Sequence, residues 1–249
     1  MTPHAVLFDL DDTLFDHHRS ARAALAGVHA AFASSASFDE FERHHIHFLE
    51  EMHIEVLAGR VALDDARRER FRRVFAALGL AIDERTTDAV ACAYRDGYMT
   101  ARRATEGAAA LLAELRPHAR VAIVTNNLLD EQQDKLEYCG LASFVDALVA
   151  SEDVGVSKPD PAIFQIALDR IGASTEHAVM MGDSWQADIA GAHAAGIRAV
   201  WFNPQRLPRP LPHYEADEIH SLVPAAGVAA RLLRLLNAGP RASNLEPRS

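Results

Sequence analysis

The sequence predicts an α/β protein in which a doubly wound parallel sheet carries a long helical insertion. Over the later part of the chain, short apolar runs that end in polar residues alternate with amphipathic helical patterns. This alternation is typical of parallel strands joined by crossover helices. From residue 16 to about residue 103, helix-forming residues dominate and no convincing strand occurs. The expected domains are therefore a core, residues 1–15 and 104–249, and a helical insertion, residues 16–103.

Hydrophobic spacing predicts the individual elements. The candidate strands are the apolar runs at residues 5–8, 121–124, 144–149, 178–181 and 197–202. Apolar residues at i, i+3, i+4 and i+7 predict core helices at residues 108–115 and 163–171, and insertion helices at residues 38–57 and just before Gly79. A last helix is expected at residues 222–236. Four prolines predict a loop over residues 203–212, and the last dozen residues are expected to fray.

Length and composition disfavour several classes of protein. Of the 249 residues 49% are hydrophobic, and no apolar run approaches the roughly 18 residues that span a bilayer. No Lys or Arg precedes the first apolar run, so the N-terminal segment does not resemble a secretory signal. We therefore expect a cytoplasmic protein with no membrane partner. Its two cysteines are expected to be reduced. A net charge of -10 disfavours nucleic acid as a partner.

Polar residues follow the predicted strands at their carboxyl ends, where a parallel α/β sheet binds its ligands. They supply acids, amides, a hydroxyl and a cation: Asp9, Asp11, Thr125, Asn126, Asn127, Lys158, Asp183 and Asp188. Each has an ordinary explanation by itself, as a turn residue, a helix cap, a first-turn acid or a solvated lysine. Their coincidence at four strand ends favours a functional site.

The acids of this set favour a divalent cation. Asp9 and Asp11 are two residues apart, and such carboxylates repel each other unless a cation or a shared proton relieves the repulsion. Oxygen ligands without Cys or His suit Mg²⁺ better than Zn²⁺. Thr125 and Lys158 then indicate that the metal meets an anion such as a phosphoryl group.

Four motifs make the chain resemble the haloacid dehalogenase-like hydrolase superfamily. In the family's order, they are FDLDDT, VTNN, SKPDP and GDSWQADI. The resemblance covers about residues 4–15 and 104–203. It implies a Rossmann-like core, and the place of the insertion implies a type 1 helical cap that can close over the site.

The same resemblance implies the roles of the site residues in a phosphatase. Asp9 would be the nucleophile and Asp11 the general acid/base. The implied substrate ligands are Thr125, Asn126 and Lys158, and the implied Mg²⁺ ligands are Asp9, the carbonyl of Asp11, Asp183 and Asp188, the last directly or through water. These roles fit a two-step hydrolysis through an aspartyl-phosphate, in which Asp11 needs a raised pKa to carry its proton. Asp12 has no necessary chemical task.

Several alternatives stay open at this stage. A C-halogen hydrolase needs no acid such as Asp11, whereas a phosphomutase would share it. A phospho-acceptor signalling module orders its acceptor Asp, Thr and Lys differently and has no place for the insertion, and a binding-only member would not need every chemical group present. The later motifs resemble those of pyrimidine 5′-nucleotidases and N-acylneuraminate 9-phosphatases. This similarity implies a small phosphorylated metabolite as the substrate, and we expect a monomer or a homodimer.

Overall fold

The computed structural model describes residues 3–210 and 214–238. The chain divides into two compact units, Met1–Phe15 with Ala104–Ser249 and, separately, Asp16–Arg103. The strands are β1 Ala5–Phe8, β2 Arg120–Thr125, β3 Ala147–Ala150, β4 Ala178–Gly182, β5 Arg198–Phe202 and β6 Asp217–Ile219. The helices are α1 His17–Phe32, α2 Phe38–Leu57, α3 Leu63–Ala77, α4 Glu84–Ala101, α5 Ala108–Leu115, α6 Leu129–Tyr138, α7 Ser151–Val154, α8 Pro161–Ile171, α9 Gly191–Ala194 and α10 Ala225–Asn237.

The first unit is built on a six-stranded sheet with all neighbouring strands parallel, in the order β3-β2-β1-β4-β5-β6. From β1 the chain first builds outward through β2 and β3, and then returns to add β4, β5 and β6 on the other side. In the register of the central strands, Phe8 pairs with both Ile123 and Met181. The strand order reverses between β1 and β4, so the ligand crevice lies at their carboxyl ends. The predicted doubly wound fold is confirmed.

Apolar burial on both faces explains why these short runs form central strands. All residues of β1 and β4 are buried, as expected for a parallel sheet covered by helices. Trp185 packs edge-on against Trp201 of β5, with ring centroids 4.9 Å apart. Trp185 is therefore a core residue, and α5 and α8 bury the apolar faces that the sequence predicts.

The second unit consists of α1 to α4, and helix is its only regular secondary structure across residues 16–103, all of which are described. Its core includes Phe41, Phe71 and Phe75. The chain turns two residues after α3 at Gly79, whose φ of +70° lies in the left-handed region that favours glycine. Among the described residues, no helix combines the length and the apolar character needed to cross a membrane.

Several predicted boundaries were wrong, each for a local reason. The run at residues 144–149 begins in a 3₁₀ turn and becomes β3 only after Asp146, whose side chain accepts a hydrogen bond from the N–H of Val121 at 2.8 Å. The last helix begins at residue 225 because Pro224 stands at its N-cap. The short strand β6 was missed because two of its three residues are acidic. The predicted loop holds over residues 203–210, whereas residues 211–212 and 239–249 lie outside the described residues.

Candidate active site

Asp9 is placed at the crevice by the end of β1. Its N–H donates to the carbonyl of Met181 at 3.0 Å, which extends the pairing of β1 with β4 by one residue. The chain then turns tightly, and Asp12 adopts a left-handed backbone conformation with φ of +59°. Its N–H donates to the carbonyl of Phe15 at 2.7 Å. Aspartate is one of the few residues that tolerate this conformation, which gives Asp12 a structural reason to be present.

A buried lysine joins two of the predicted acids. The Nζ of Lys158 lies 2.5 Å from Oδ1 of Asp9 and 2.7 Å from Oδ1 of Asp188. Lys158 is only 4% exposed, so these ion pairs are shielded from water. Asn126 fixes the backbone of this lysine, because its side-chain amide accepts from the N–H of Lys158 and donates to its carbonyl, both at 2.7 Å. In this structure Asn126 therefore acts as a clamp on Lys158.

Asp188 is held in place by a tight fit beyond the end of β4. It lies in a π-helical turn, Trp185–Ala190, and its Oδ2 accepts a hydrogen bond from the N–H of Ser184 at 2.9 Å. Its side chain packs so closely on Gly182 that a Cβ at that position would overlap the carboxylate. Glycine at position 182 is therefore a steric requirement of the buried acid at position 188.

Asp183 completes a cluster of three carboxylates. One oxygen each from Asp9, Asp183 and Asp188 lie within 4.8 Å of one another. The backbone carbonyl of Asp183 accepts from Nε1 of Trp201 at 2.8 Å, and its Oδ1 accepts from the hydroxyl of Thr13 at 3.5 Å. The three carboxylates, one from the end of β1 and two from the segment after β4, thus converge at the switch point of the sheet.

Burial and mutual repulsion perturb the titration of this cluster. Burial raises the pKa of Asp9 to about 7; the charge of Lys158 opposes this shift and that of Asp188 adds to it. Burial and the charges of Asp9 and Asp188 raise the pKa of Asp183 to about 9. Burial alone would lower the pKa of Lys158, but the charges of Asp188 and Asp9 outweigh it and raise that pKa above its ordinary value. One ammonium group therefore leaves the three carboxylates undercompensated.

The donor set of the cluster fits a hard divalent cation. All three side chains offer carboxylate oxygens, which are the ligands that Mg²⁺ and Ca²⁺ prefer. Burial, together with the repulsion among these carboxylates, raises the pKa values of Asp9 and Asp183. A cation bound among the three carboxylates would favour the charged forms of Asp9 and Asp183.

Asp11 faces a different environment from Asp9. Both of its oxygens contact Nζ of Lys135, at 2.6 and 2.9 Å, and its Oδ2 also accepts from Asn127 and Gln132, each at 3.1 Å. Lys135 and Gln132 belong to α6, which follows β2. Asp11 is therefore paired with an ammonium group of its own, distinct from Lys158, which pairs with Asp9.

The structure brings together Asp9, Lys158, Asp183 and Asp188. Asp11 is only two residues from Asp9 in sequence, but its side chain contacts α6. Thr125 is buried at the end of β2, on the same edge of the sheet. The partners of Asp11 on α6 were missed because they follow no strand. One signal could have revealed them: of the 25 Lys and Arg residues, only Lys135 and Lys158 are lysines, and both contact a site aspartate.

With this geometry established, comparison with known proteins identifies the class. The family model of haloacid dehalogenase-like hydrolases matches residues 3–196. The chain therefore belongs to this family of hydrolases.

Two curated relatives and one solved structure illustrate the similarity. The chain is 34% identical to the ribulose-1,5-bisphosphate 5-phosphatase of Halopiger xanaduensis over 80% of this chain and 84% of that protein. It is 38% identical to the pyrimidine 5′-nucleotidase YjjG of Escherichia coli over 47% of this chain and 53% of that protein. Two further curated relatives, the phosphoserine phosphatase of Thermus thermophilus and the N-acylneuraminate-9-phosphatase of Mus musculus, are matched over only 38% and 48% of their own length.

The solved structure is the putative hydrolase YfnB of Bacillus subtilis bound to magnesium. It is 26% identical in sequence and superposes with a TM-score of 0.72, over 92% of this chain and 99% of that one. This likeness agrees with the doubly wound core and the helical insertion.

The raised pKa values predict how stability depends on pH and metal. The pKa values of Asp9 and Asp183 lie above their ordinary value of 3.8, so the folded chain binds more protons than the unfolded chain. Their stabilising contribution is complete below about pH 4 and is lost as the pH rises through about 7 and about 9. In chelator, the free energy of unfolding should fall over this range, and excess Mg²⁺ should reduce the fall.

Urea unfolding at a series of pH values, with chelator or with Mg²⁺, measures this dependence. The variant Asp183→Asn is the matched control, because its side chain cannot ionise and the fall should be smaller. A wild-type protein whose stability in chelator rises from neutral to alkaline pH would contradict the electrostatic account of the cluster.

The space around two glycines, Gly182 beside Asp188 and Gly27 in α1, predicts that replacing each by alanine changes the free energy of unfolding in opposite directions. Gly182→Ala should lower the free energy of unfolding by about 1–3 kcal/mol, because the added methyl group overpacks the site. Displacement of Asp188 should also weaken stabilisation by Mg²⁺. In α1, a Cβ at Gly27 would meet nothing within 4 Å, so Gly27→Ala should raise the free energy of unfolding by about 0.5–1 kcal/mol. Urea titrations of both variants test the pair, and equal effects would refute the steric argument.

Proposed function

We propose that the protein is a Mg²⁺-dependent phosphomonoester hydrolase that acts through an aspartyl-phosphate at Asp9. The observation that carries the proposal is the buried cluster of Asp9, Lys158, Asp183 and Asp188 at the sheet's switch point, with a fifth charged group, Asp11, two residues beyond Asp9. Membership in a hydrolase family and the phosphatase names of similar proteins support it.

The first step of the proposed reaction uses Asp9 as a nucleophile. One oxygen of its carboxylate attacks the phosphorus atom while the ester P–O bond breaks, and the leaving oxygen takes a proton from Asp11. The attack requires the charged form of Asp9, and the nearby ammonium group of Lys158 favours that form. Phosphoryl transfer depends mainly on positioning and charge neutralisation, which a rigid buried cluster provides.

The second step returns the enzyme to its starting state. A water molecule attacks the phosphorus atom of the aspartyl-phosphate and gives a proton to Asp11, and the bond between phosphorus and the Asp9 oxygen breaks. Lys135 contacts both oxygens of the Asp11 carboxylate, at 2.6 and 2.9 Å, and holds it in place for this step.

The proposed metal site consists of Asp9, Asp183, Asp188 and the backbone carbonyl of Asp11. Mg²⁺ at this site would neutralise the negative charge of the phosphoryl group during transfer. The similar protein YfnB has been crystallised with magnesium, which supports this choice of ion. Thr125 and Lys158 are the proposed phosphate ligands, and Asn126 contributes by fixing the backbone of Lys158.

The proposed substrate is a small phosphorylated metabolite, with nucleoside monophosphates and sugar phosphates as the two classes to test first. The names of two similar proteins, a pyrimidine 5′-nucleotidase and a ribulose-1,5-bisphosphate 5-phosphatase, support these classes. The working form we propose is a monomer or a homodimer in the cytoplasm.

A substrate panel tests the proposed reaction against its alternatives. Release of inorganic phosphate from nucleotides and sugar phosphates, dependent on Mg²⁺, is the expected result. Hydrolysis of a 2-haloacid instead would identify a C-halogen hydrolase. Turnover that requires a hexose bisphosphate and releases no phosphate would identify a phosphomutase.

Asp9→Asn tests the assignment of the nucleophile. The variant should lower Mg²⁺-dependent phosphate release by about 10³-fold or more, because the amide is not a nucleophile. The matched control is Asp12→Asn, in the same loop. Asparagine also tolerates the left-handed backbone at position 12, so this control should keep activity close to that of the wild type. Wild-type activity in Asp9→Asn, or in excess chelator, would refute the proposed mechanism.

A further inference from the structure

We propose that α6 is the positioning element of the general acid/base: Lys135, assisted by Gln132, fixes the Asp11 carboxylate in the orientation that serves the leaving oxygen. This inference rests on the proposed phosphatase function and adds two positioning residues to it. Neither residue belongs to the four motifs that predicted the site.

The contacts around Asp11 leave its carboxylate little rotational freedom. Lys135 approaches both oxygens, at 2.6 and 2.9 Å, so it fixes the plane of the carboxylate as well as its distance. Asn127 and Gln132 donate to Oδ2, each at 3.1 Å. Asp11 is partly exposed, and these contacts come from Lys135 and Gln132 on α6 and from Asn127, two residues before that helix.

The buried face of α6 is unusually polar for a helix packed on a sheet. It consists of Gln132, Lys135 and Leu136, and two of these three residues contact Asp11. Gln132 is fully buried and Lys135 is 5% exposed. Burying an amide and an ammonium group is unfavourable unless each finds a partner, whereas apolar residues would hold the helix without that cost. The polar groups at these two positions therefore favour a task at Asp11.

The choice of lysine at position 135 supports the same conclusion. The sequence contains only two lysines, Lys135 and Lys158, and all its other Lys and Arg positions are arginine. Lys158 contacts the proposed nucleophile. An ammonium group is a compact point charge, and a guanidinium group is a wide planar fork. Nζ of Lys135 lies between the Asp11 carboxylate and the ring of Phe15, whose centroid is 5.1 Å away, and such a place suits the compact group.

A purely structural role is the rival explanation, since an ion pair between α6 and the loop after β1 also ties two segments together. The two explanations predict different effects of removing Lys135 on kcat/KM for substrates with different leaving groups. p-Nitrophenolate departs without protonation, whereas an alkoxide needs a proton from Asp11 as it leaves. kcat/KM reports the reaction up to the departure of this group, because phosphorylation of Asp9 is the first irreversible step.

The test compares kcat/KM of the wild type, Lys135→Met and Gln132→Met for p-nitrophenyl phosphate and for an alkyl phosphate, at saturating Mg²⁺. Lys135→Met should lower kcat/KM for the alkyl ester more than for the aryl ester, by an additional factor on the order of 10–100. This factor is part of the rate enhancement that a general acid supplies. Gln132→Met should show a smaller selective loss. Gln133→Ala, on the exposed face of α6, is the control and should leave the ratio unchanged.

Equal losses for both esters in Lys135→Met would overturn the inference, since a structural defect lowers both alike. If Lys135→Met does not fold, as judged by circular dichroism, Gln132→Met decides the question: a selective loss supports the inference and an unchanged ratio overturns it. A wild-type protein that hydrolyses neither ester would overturn the proposed function itself. The two failures are therefore distinguishable.

Discussion

The buried ion pairs of Lys158 are the interaction on which the rest of the site depends. Its ammonium group joins Asp9, at the end of β1, to Asp188, in the π-helical turn after β4. Removing that charge would leave two carboxylates facing each other away from water, which is strongly unfavourable. Two other features serve this arrangement. Asn126 fixes the backbone of the lysine, and Gly182 leaves the space that the Asp188 side chain occupies.

The two acids of the first motif are separated electrostatically although they are only two residues apart. Asp9 ends β1 and joins the cluster at the switch point, where burial raises its pKa to about 7. Asp11 lies beyond the start of a tight turn and contacts Lys135 on α6. Asp12 follows Asp11 in this turn, and its left-handed backbone conformation explains why an aspartate stands there. Each proposed acid thus has its own lysine, and the two lysines reach the crevice from different segments.

The sequence predicted the fold and most residues of the candidate site because both leave local signals. Strands buried on both faces appear as short apolar runs, and the residues after them lie at one edge of a parallel sheet. The strand β6 left no such signal because its residues are mostly polar, and the start of β3 was misplaced because the apolar Phe144 belongs to a 3₁₀ turn.

Contacts between distant segments could not be read from hydrophobic spacing. Lys135 lies on the buried face of α6, but hydrophobic spacing does not distinguish it from the exposed polar residues of that helix. The clamp of Asn126 on Lys158 joins positions 32 residues apart, and no local pattern encodes it. The packing of Asp188 on Gly182 is likewise visible only in three dimensions, although the two residues are close in sequence.

The proposed reaction requires that Asp9 forms a covalent bond to the phosphoryl group. The most direct measurement is a rapid acid quench during turnover of a phosphomonoester with Mg²⁺, followed by peptide mapping by mass spectrometry. The mass of one phosphoryl group should appear on Asp9 and disappear as the substrate is consumed. A phosphoryl group on another residue during turnover would contradict the account, as would efficient turnover with no phosphorylated protein at any time.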